Sequence, residues 1–319
     1  MYYKIDGGEE QEIPIDSVLI NNESPTSATP TTITLSAGQK VEFYGNNPVN
    51  GNGSWNDHPV VKCTGACYVY GNFMSLVYKQ NYATAVTLTG IYAFSKFFYG
   101  NEGLRNKSDE IICLPATTLT KNCYKQMFDG CSSITSAPAL PATTMAENCY
   151  MSMFSRCSLT SAPVLPATTL AESCYEDMFY SCDFTDAPAL PATTLAEDCY
   201  KEMFRRCASL SNAPTLPATT LANSCYEGMF IGCSSLQRAP DLPAPTLVNG
   251  CYCDMFQNCS SLNYIKCLAT NMSASYCTKD WIFGVSSAGT FVKAAGANWD
   301  AITTEYYGIP SGWTVQTAP

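Results

Sequence analysis

The stretch Leu165-Pro166-Ala167-Thr168-Thr169-Leu170-Ala171-Glu172-Ser173-Cys174-Tyr175-Glu176-Asp177-Met178-Phe179-Tyr180-Ser181-Cys182 decides how the chain is read. Cys174, Met178 and Cys182 fall at i, i+4 and i+8, which is one stripe of a helix. Glu172, Glu176 and Asp177 supply a polar outer side. The pattern predicts a short helix, with Thr169 or a polar neighbour as its cap. Small residues before the second cysteine (Gly130, Ser181, Gly232) suit a helix exit. The preceding Leu159–Leu165 segment alternates only loosely, and Pro163 removes a backbone donor. A short strand from the Ser-Leu pair toward Ala-Pro is expected there. Leu-Pro-Ala-Thr-Thr-Leu then leads into the next helix.

The same stretch recurs. The first cysteine of each unit is Cys123, Cys149, Cys174, Cys199, Cys225 and Cys251, a period of 25 or 26 residues, and the second lies eight later, from Cys131 to Cys259. The two short units lose one residue at the same place, at Cys157-Ser158-Leu159 and Cys182-Asp183-Phe184, as a surface loop would permit. Degraded units flank the six regular ones. Phe97-Phe98-Tyr99-Gly100 fits the template upstream, and Cys277, Trp281 and Val285 fit it downstream. Atypical terminal units suit a stacked array, whose two ends must each close an apolar face.

Composition narrows the function. The 319 residues are 46% hydrophobic and 14% charged, with a net charge of -10. Such a chain is too apolar to be wholly disordered and has no general attraction for nucleic acid or anionic membranes. No window approaches 18 consecutive apolar residues, so membrane insertion is not expected. One histidine, His58, precludes a multi-histidine metal site. There is no phosphate-binding Gly-rich loop and no nucleophile elbow, and Asp57 beside His58 makes no catalytic geometry. No enzyme, no cofactor and no metal are expected. The start, Met1-Tyr2-Tyr3-Lys4-Ile5-Asp6, lacks the features of a secretory signal. Either a signal has been removed or the protein leaves its cell by another route, such as within a virus particle.

The run Met127-Phe128-Asp129-Gly130-Cys131-Ser132-Ser133-Ile134-Thr135 resembles the BspA-like leucine-rich repeats of bacterial surface proteins. Units with Leu-Pro-Ala-Thr-Thr-Leu are similar to the Bacteroidales type, bacterial or phage-encoded. The resemblance spans about residues 92–290, and Gly289–Gly296 and Ile309–Val315 look like the tail of such proteins. It implies a solenoid with short parallel strands on one face and helices on the other, and adhesion rather than catalysis. The absent signal and the prolines in the strand segment depart from that pattern.

Before the repeats, Val18–Ile20, Thr32–Leu35, Val41–Tyr44, Pro59–Lys62 and Tyr68–Tyr70 read as short strands separated by turns such as Asn46–Gly53. They suggest a small β-sandwich. The expected fold class is therefore α+β: an N-terminal β-sandwich over residues 1–90, a leucine-rich-repeat solenoid with short parallel strands and short helices over 91–290, and a C-terminal capping segment over 291–319. Cys63 and Cys67 flank a hairpin-like tip at Gly65, and the sequence leaves open whether they are bridged.

Of the 18 cysteines, twelve occupy the repeating inward positions, which suits reduced thiols used as small apolar core residues. On a helix the two in a unit stand about 12 Å apart, too far to bridge. The tyrosine column from Tyr124 to Tyr252 reads as packing between adjacent helices rather than as a sugar-stacking strip. The Thr pairs from Thr117/Thr118 to Thr219/Thr220 read as turn hydrogen-bonding residues rather than an ice-binding array.

A binding face should vary while its scaffold stays fixed. The position after the Ser-Leu pair reads Thr135, Thr160, Thr185, Ser211, Gln237 and Asn263, and the one after Ala-Pro reads Ala139, Val164, Ala189, Thr215 and Asp241. The expected helix face also varies, as at Lys125/Gln126, Glu176/Asp177 and Lys201/Glu202. The first column is the expected ligand-binding set. Eight coils at strand spacing would run roughly 40 Å. The expected function is non-enzymatic recognition or adhesion, with a cell-surface glycan or protein as partner. The setting is extracellular: a cell surface or a phage virion (a tail or head fibre). A purely structural spacer is the alternative.

Overall fold

The computed structural model of the protein describes residues 2–12, 32–45, 60–299 and 307–319. Among them there is no α-helix; a 3-10 turn over Phe73–Leu76 is started by the Asn72 side chain accepting the Met74 amide at 2.9 Å. Among the described residues ten strands of two to four residues form four small separate sheets. The expectation of an α+β fold, with a β-sandwich leading into a leucine-rich-repeat solenoid of short strands and helices, is therefore corrected. The described chain is built mainly of turns.

The expected helices fail for a reason visible in the backbone. Every fourth residue of each Cys-Tyr-x-x-Met-Phe-x-x-Cys segment has a positive φ: Ser173 (50°), Asp177 (53°) and Ser181 (57°), or Asn122, Gln126 and Gly130. A left-handed residue ends an α-helix. The amides then divide in two. Alternate ones bond back three residues within the unit, as Met178 does to Tyr175 and Cys182 to Phe179, both at 3.2 Å. The others leave the unit. Ser173, Tyr175, Asp177, Phe179 and Ser181 donate to the carbonyls of Glu197, Cys199, Lys201, Met203 and Arg205. The same five bonds recur at each interface from Tyr92–Gly100 to Gly250–Asn258. Each unit is thus a spiral of turns, and neighbouring units stack in register.

The expected strands are absent from the first five regular units. Prolines such as Pro163, Pro188, Pro214 and Pro240 remove ladder donors, and only isolated parallel bridges remain, such as Thr144 with Thr169 and Asp186 with Asn212. Continuous pairing appears toward the ends. β4 (Cys67–Val69) pairs parallel with β6 (Leu104–Asn106), and β5 (Gly71–Asn72) with β7 (Ile112–Cys113). β8 (Tyr264–Cys267), β9 (Thr290–Lys293) and β10 (Thr314–Thr317) form a parallel sheet in the order β10-β9-β8.

At the N-terminus β1 (Tyr2–Ile5) pairs antiparallel with β2 (Gln11–Glu12) and β3 (Val41–Tyr44). These strands are half-buried or exposed, which leaves no second apolar layer for a sandwich. Of the expected strands, Val41–Tyr44 and Tyr68–Val69 form, while Thr32–Leu35 and Val60–Lys62 do not. Val18–Ile20, Pro59, the Asn46–Gly53 turn and His58 lie outside the described residues. Gly45 joins β3 to the 3-10 turn. Its amide donates to Ser75 O at 2.9 Å, and a Cβ there would stand 1.8 Å from Leu76 O, so only glycine fits.

The core is a set of columns. Tyr124, Tyr150, Tyr175, Tyr200, Tyr226 and Tyr252 stack face to face at 5.7–6.1 Å, and a parallel column runs from Phe128 to Phe256. All are buried. Offset-stacked pairs of this kind add about 0.5–1.5 kcal/mol each to their area burial. Phe94 and Phe98 start the two columns, which converge on Trp281, stacked on Tyr252 and tilted against Phe256; Trp299 stacks on its far side at 5.6 Å.

Candidate functional site

The buried chemistry is structural. In each regular unit the second cysteine donates its thiol hydrogen to the phenylalanine carbonyl of the preceding unit: Cys131 to Phe98, Cys157 to Phe128, Cys182 to Phe154, Cys207 to Phe179, Cys233 to Phe204 and Cys259 to Phe230, all at 3.0–3.2 Å. Cysteine suits this position because it is small and apolar yet carries one donor. Burial pushes the thiols of Cys131, Cys174, Cys207 and Cys259 up to about 12. Such thiols are poor nucleophiles and poor metal ligands. Cys63 and Cys67 form a disulfide, the alternative that the sequence left open. Among the described residues no group of three or more His, Cys, Asp or Glu side chains could hold a metal ion, and no helix is long and apolar enough to cross a membrane.

The turn side of the stack carries charge. Glu176, Lys201 and Glu227 occupy one column, with Lys201 Nζ 3.2 Å from Glu227. In the next column Asp177 faces Glu202. Burial, then Glu202 and Glu176, raise the Asp177 carboxyl to about 7, against the pull of Arg205. A carboxyl titrating near neutrality can mark a catalytic acid. Here neither of the two grooves described below includes it, and burial within the stack, reinforced by the neighbouring carboxylates, accounts for the shift. One groove, of about 230 Å³, lies on this side between Ser224, Glu227, Tyr276 and Lys279.

The expected ligand column lies on another side. Thr135, Thr160, Thr185, Ser211, Gln237 and Asn263 are all exposed. The Thr160 amide donates to Thr135 O, Ser211 to Thr185 O and Asn263 to Gln237 O, at 2.9–3.1 Å, so these neighbours follow one another along the stack. Thr135 also donates its amide to Asn106 Oδ1. The structure therefore brings the column together as one exposed line. The second column, Ala139, Val164, Ala189, Thr215 and Asp241, is exposed too.

The residues that differentiate this face stand one position further along. The adjoining column reads Ser136, Ser161, Asp186, Asn212, Arg238 and Tyr264. Asp186 pairs with Asn212 and Arg238 with Tyr264 in parallel bridges. Asn212 donates to Asp186 Oδ1 at 2.6 Å. The Arg238 guanidinium sits 3.7 Å from the centroid of the Tyr264 ring and 3.4 Å from Asp241, which also accepts from Lys266 Nζ at 2.7 Å. Beside them runs a groove of about 430 Å³ lined by Ser211, Asn212, Thr215, Arg238, Asp241 and the prolines 214, 217, 240 and 243. Of the expected ligand residues only Ser211 lines it. The signal for the others was present. Unit-to-unit differences at 186, 212, 238 and 264 are larger in charge and size than those of the column chosen from sequence.

Comparison of the chain with protein-family models, curated proteins and solved structures found no match.

Proposed function

We propose that the protein is a non-enzymatic recognition protein that binds a cell-surface glycan or protein through the exposed face of its repeats, at a bacterial surface or on a virion. One observation carries this reading. Along that face the first units present serine, threonine, alanine and valine, whereas the later units place Asn212, Arg238 and Asp241 in the lining of one groove, with Lys266 paired to Asp241 beside it. Polar groups that converge on a concave patch over a rigid scaffold suit selective binding. The buried thiols and the acid stripe offer no comparable arrangement for turnover.

The spacer reading has its own support in the unbroken hydrogen-bond ladder and the bland surface of the first units. The test is binding of the labelled full chain to intact bacterial cells, mucin and extracellular-matrix proteins, beside the triple variant Asn212→Ala, Arg238→Ala, Asp241→Ala. Saturable binding lost in the variant supports recognition at this face. Equal binding by both proteins removes this face from the proposal. Saturation with none of these targets leaves the spacer ahead.

A further inference from the structure

Resting on the recognition reading, we propose that the groove between Asn212 and Asp241 takes a carboxylated sugar, its carboxylate received by Arg238 and Lys266. The chain has 27 acidic and 17 basic residues, yet here two cations share the single carboxylate of Asp241. Asp241 has two oxygens, one on each cation, so guanidinium and ammonium donors remain free for a second anion. The side chains of Arg238 and Asp241 are 58% and 49% exposed, so their own pairing is worth little and yields readily to a competing ligand.

Stacking on Tyr264 holds the guanidinium in place at little entropic cost on binding. The rest of the groove matches the rest of a sugar. Ser211, Asn212 and Thr215 offer hydroxyl and amide groups, and the proline rings give a shallow apolar floor for the C–H face of a pyranose.

Asp241 supplies a test by sign. If it is the resident competitor for the two cations, removing its charge strengthens binding. If it instead accepts hydroxyls of a neutral sugar, removing its charge weakens binding. The experiment titrates the full chain, by calorimetry, with a galacturonate tetramer and with sialyllactose, and with maltotetraose, lactose and polyglutamate as comparators.

The expected result is that at least one of the two acidic sugars binds and neither neutral sugar does, with affinity falling as salt rises. Arg238→Gln and Lys266→Gln should each weaken binding about tenfold, and Asp241→Asn should strengthen it about threefold. Tetramer binding alone identifies a uronate chain, and sialyllactose binding alone a terminal sialic acid. Binding of neutral sugars with a weaker Asp241→Asn variant overturns this inference but keeps recognition. Preference for polyglutamate points to an acidic protein partner and overturns it as well. No binding by any probe, with cell or mucin binding intact, also rejects the carboxylated sugar. Loss of both removes the recognition reading too.

Discussion

Replacing Ser152 by glycine should stabilise the protein. Ser152 stands at the middle of its Cys-Tyr-x-x-Met-Phe-x-x-Cys segment with φ of 53°. A left-handed conformation costs a residue with a Cβ about 1–2 kcal/mol. Glycine removes that cost and returns about 0.5–1 kcal/mol as extra freedom of the unfolded chain. The net gain is about 0.5–1 kcal/mol. The column shows that glycine fits, because Gly228 occupies the equivalent place two positions before Phe230, with φ of 60°. Had the segment been an α-helix, the same change in its interior would be destabilising, because glycine has the lower helix propensity. The sign of the effect therefore separates the two conformations. The assay is urea unfolding followed by fluorescence of the buried Trp281 and Trp299. The midpoint should rise with an unchanged slope. Ser152→Val, β-branched at positive φ, should lower it. A lower midpoint for Ser152→Gly, with Ser152→Val neutral, would refute the turn spiral.

Three further outcomes follow from the columns. Asp177 holds its proton to about pH 7 when folded, against 3.8 ordinarily, so the folded state binds the extra proton between those values and stability falls as pH rises from about 4 to 7. Asp177→Asn should remove that slope and be more stable than the parent at pH 8 by about 1–3 kcal/mol, read from unfolding at a series of pH values. Cys182→Ala loses a buried sulfur and its bond to Phe154 O but leaves that carbonyl paired with the Cys157 amide, so the loss should be about 1–2 kcal/mol; a chromogenic thiol reagent should label the buried cysteines only across the unfolding transition. Trp281→Ala removes the ring on which both aromatic columns converge and which stacks on Trp299, and should cost about 3–5 kcal/mol, whereas Trp281→Phe should lose less, by thermal unfolding.

The register of the repeat and its inward stripe were legible in the sequence, since Cys174, Met178 and Cys182 are all buried, while the buried column through Phe179 was not singled out by the spacing of the cysteines. Their conformation departs from the helix that the spacing predicts. Residues at i, i+4 and i+8 line one stripe of a helix, but over eight residues a true helix overshoots two full turns by about 80°, whereas the columns here keep one orientation. A second row at Tyr175 and Phe179 also repeats at four. Residues tolerant of positive φ recur at four as well, such as Asn122, Asp177, Gly228, Asp254 and Asn258. A period of four in both respects was the available sign of turns. The pairing of Cys67–Val69 with Leu104–Asn106 was not legible, because parallel partners so distant in sequence leave no local pattern. The exposed line from Thr135 to Asn263 was legible from variation among units. The Arg238, Asp241 and Lys266 cluster was not, because its members come from two units and meet only through stacking.

The five amide bonds between units have a consequence for how such a chain changes over generations. Every interface uses the same donors and acceptors, so a unit fits between any two others without new contact chemistry. Unequal exchange between units in register would lengthen or shorten the molecule in whole steps and leave both ends, with Phe94 and Trp281, untouched. Reach and binding chemistry are then inherited separately: the first by copy number, the second by substitutions at the few exposed positions of a unit.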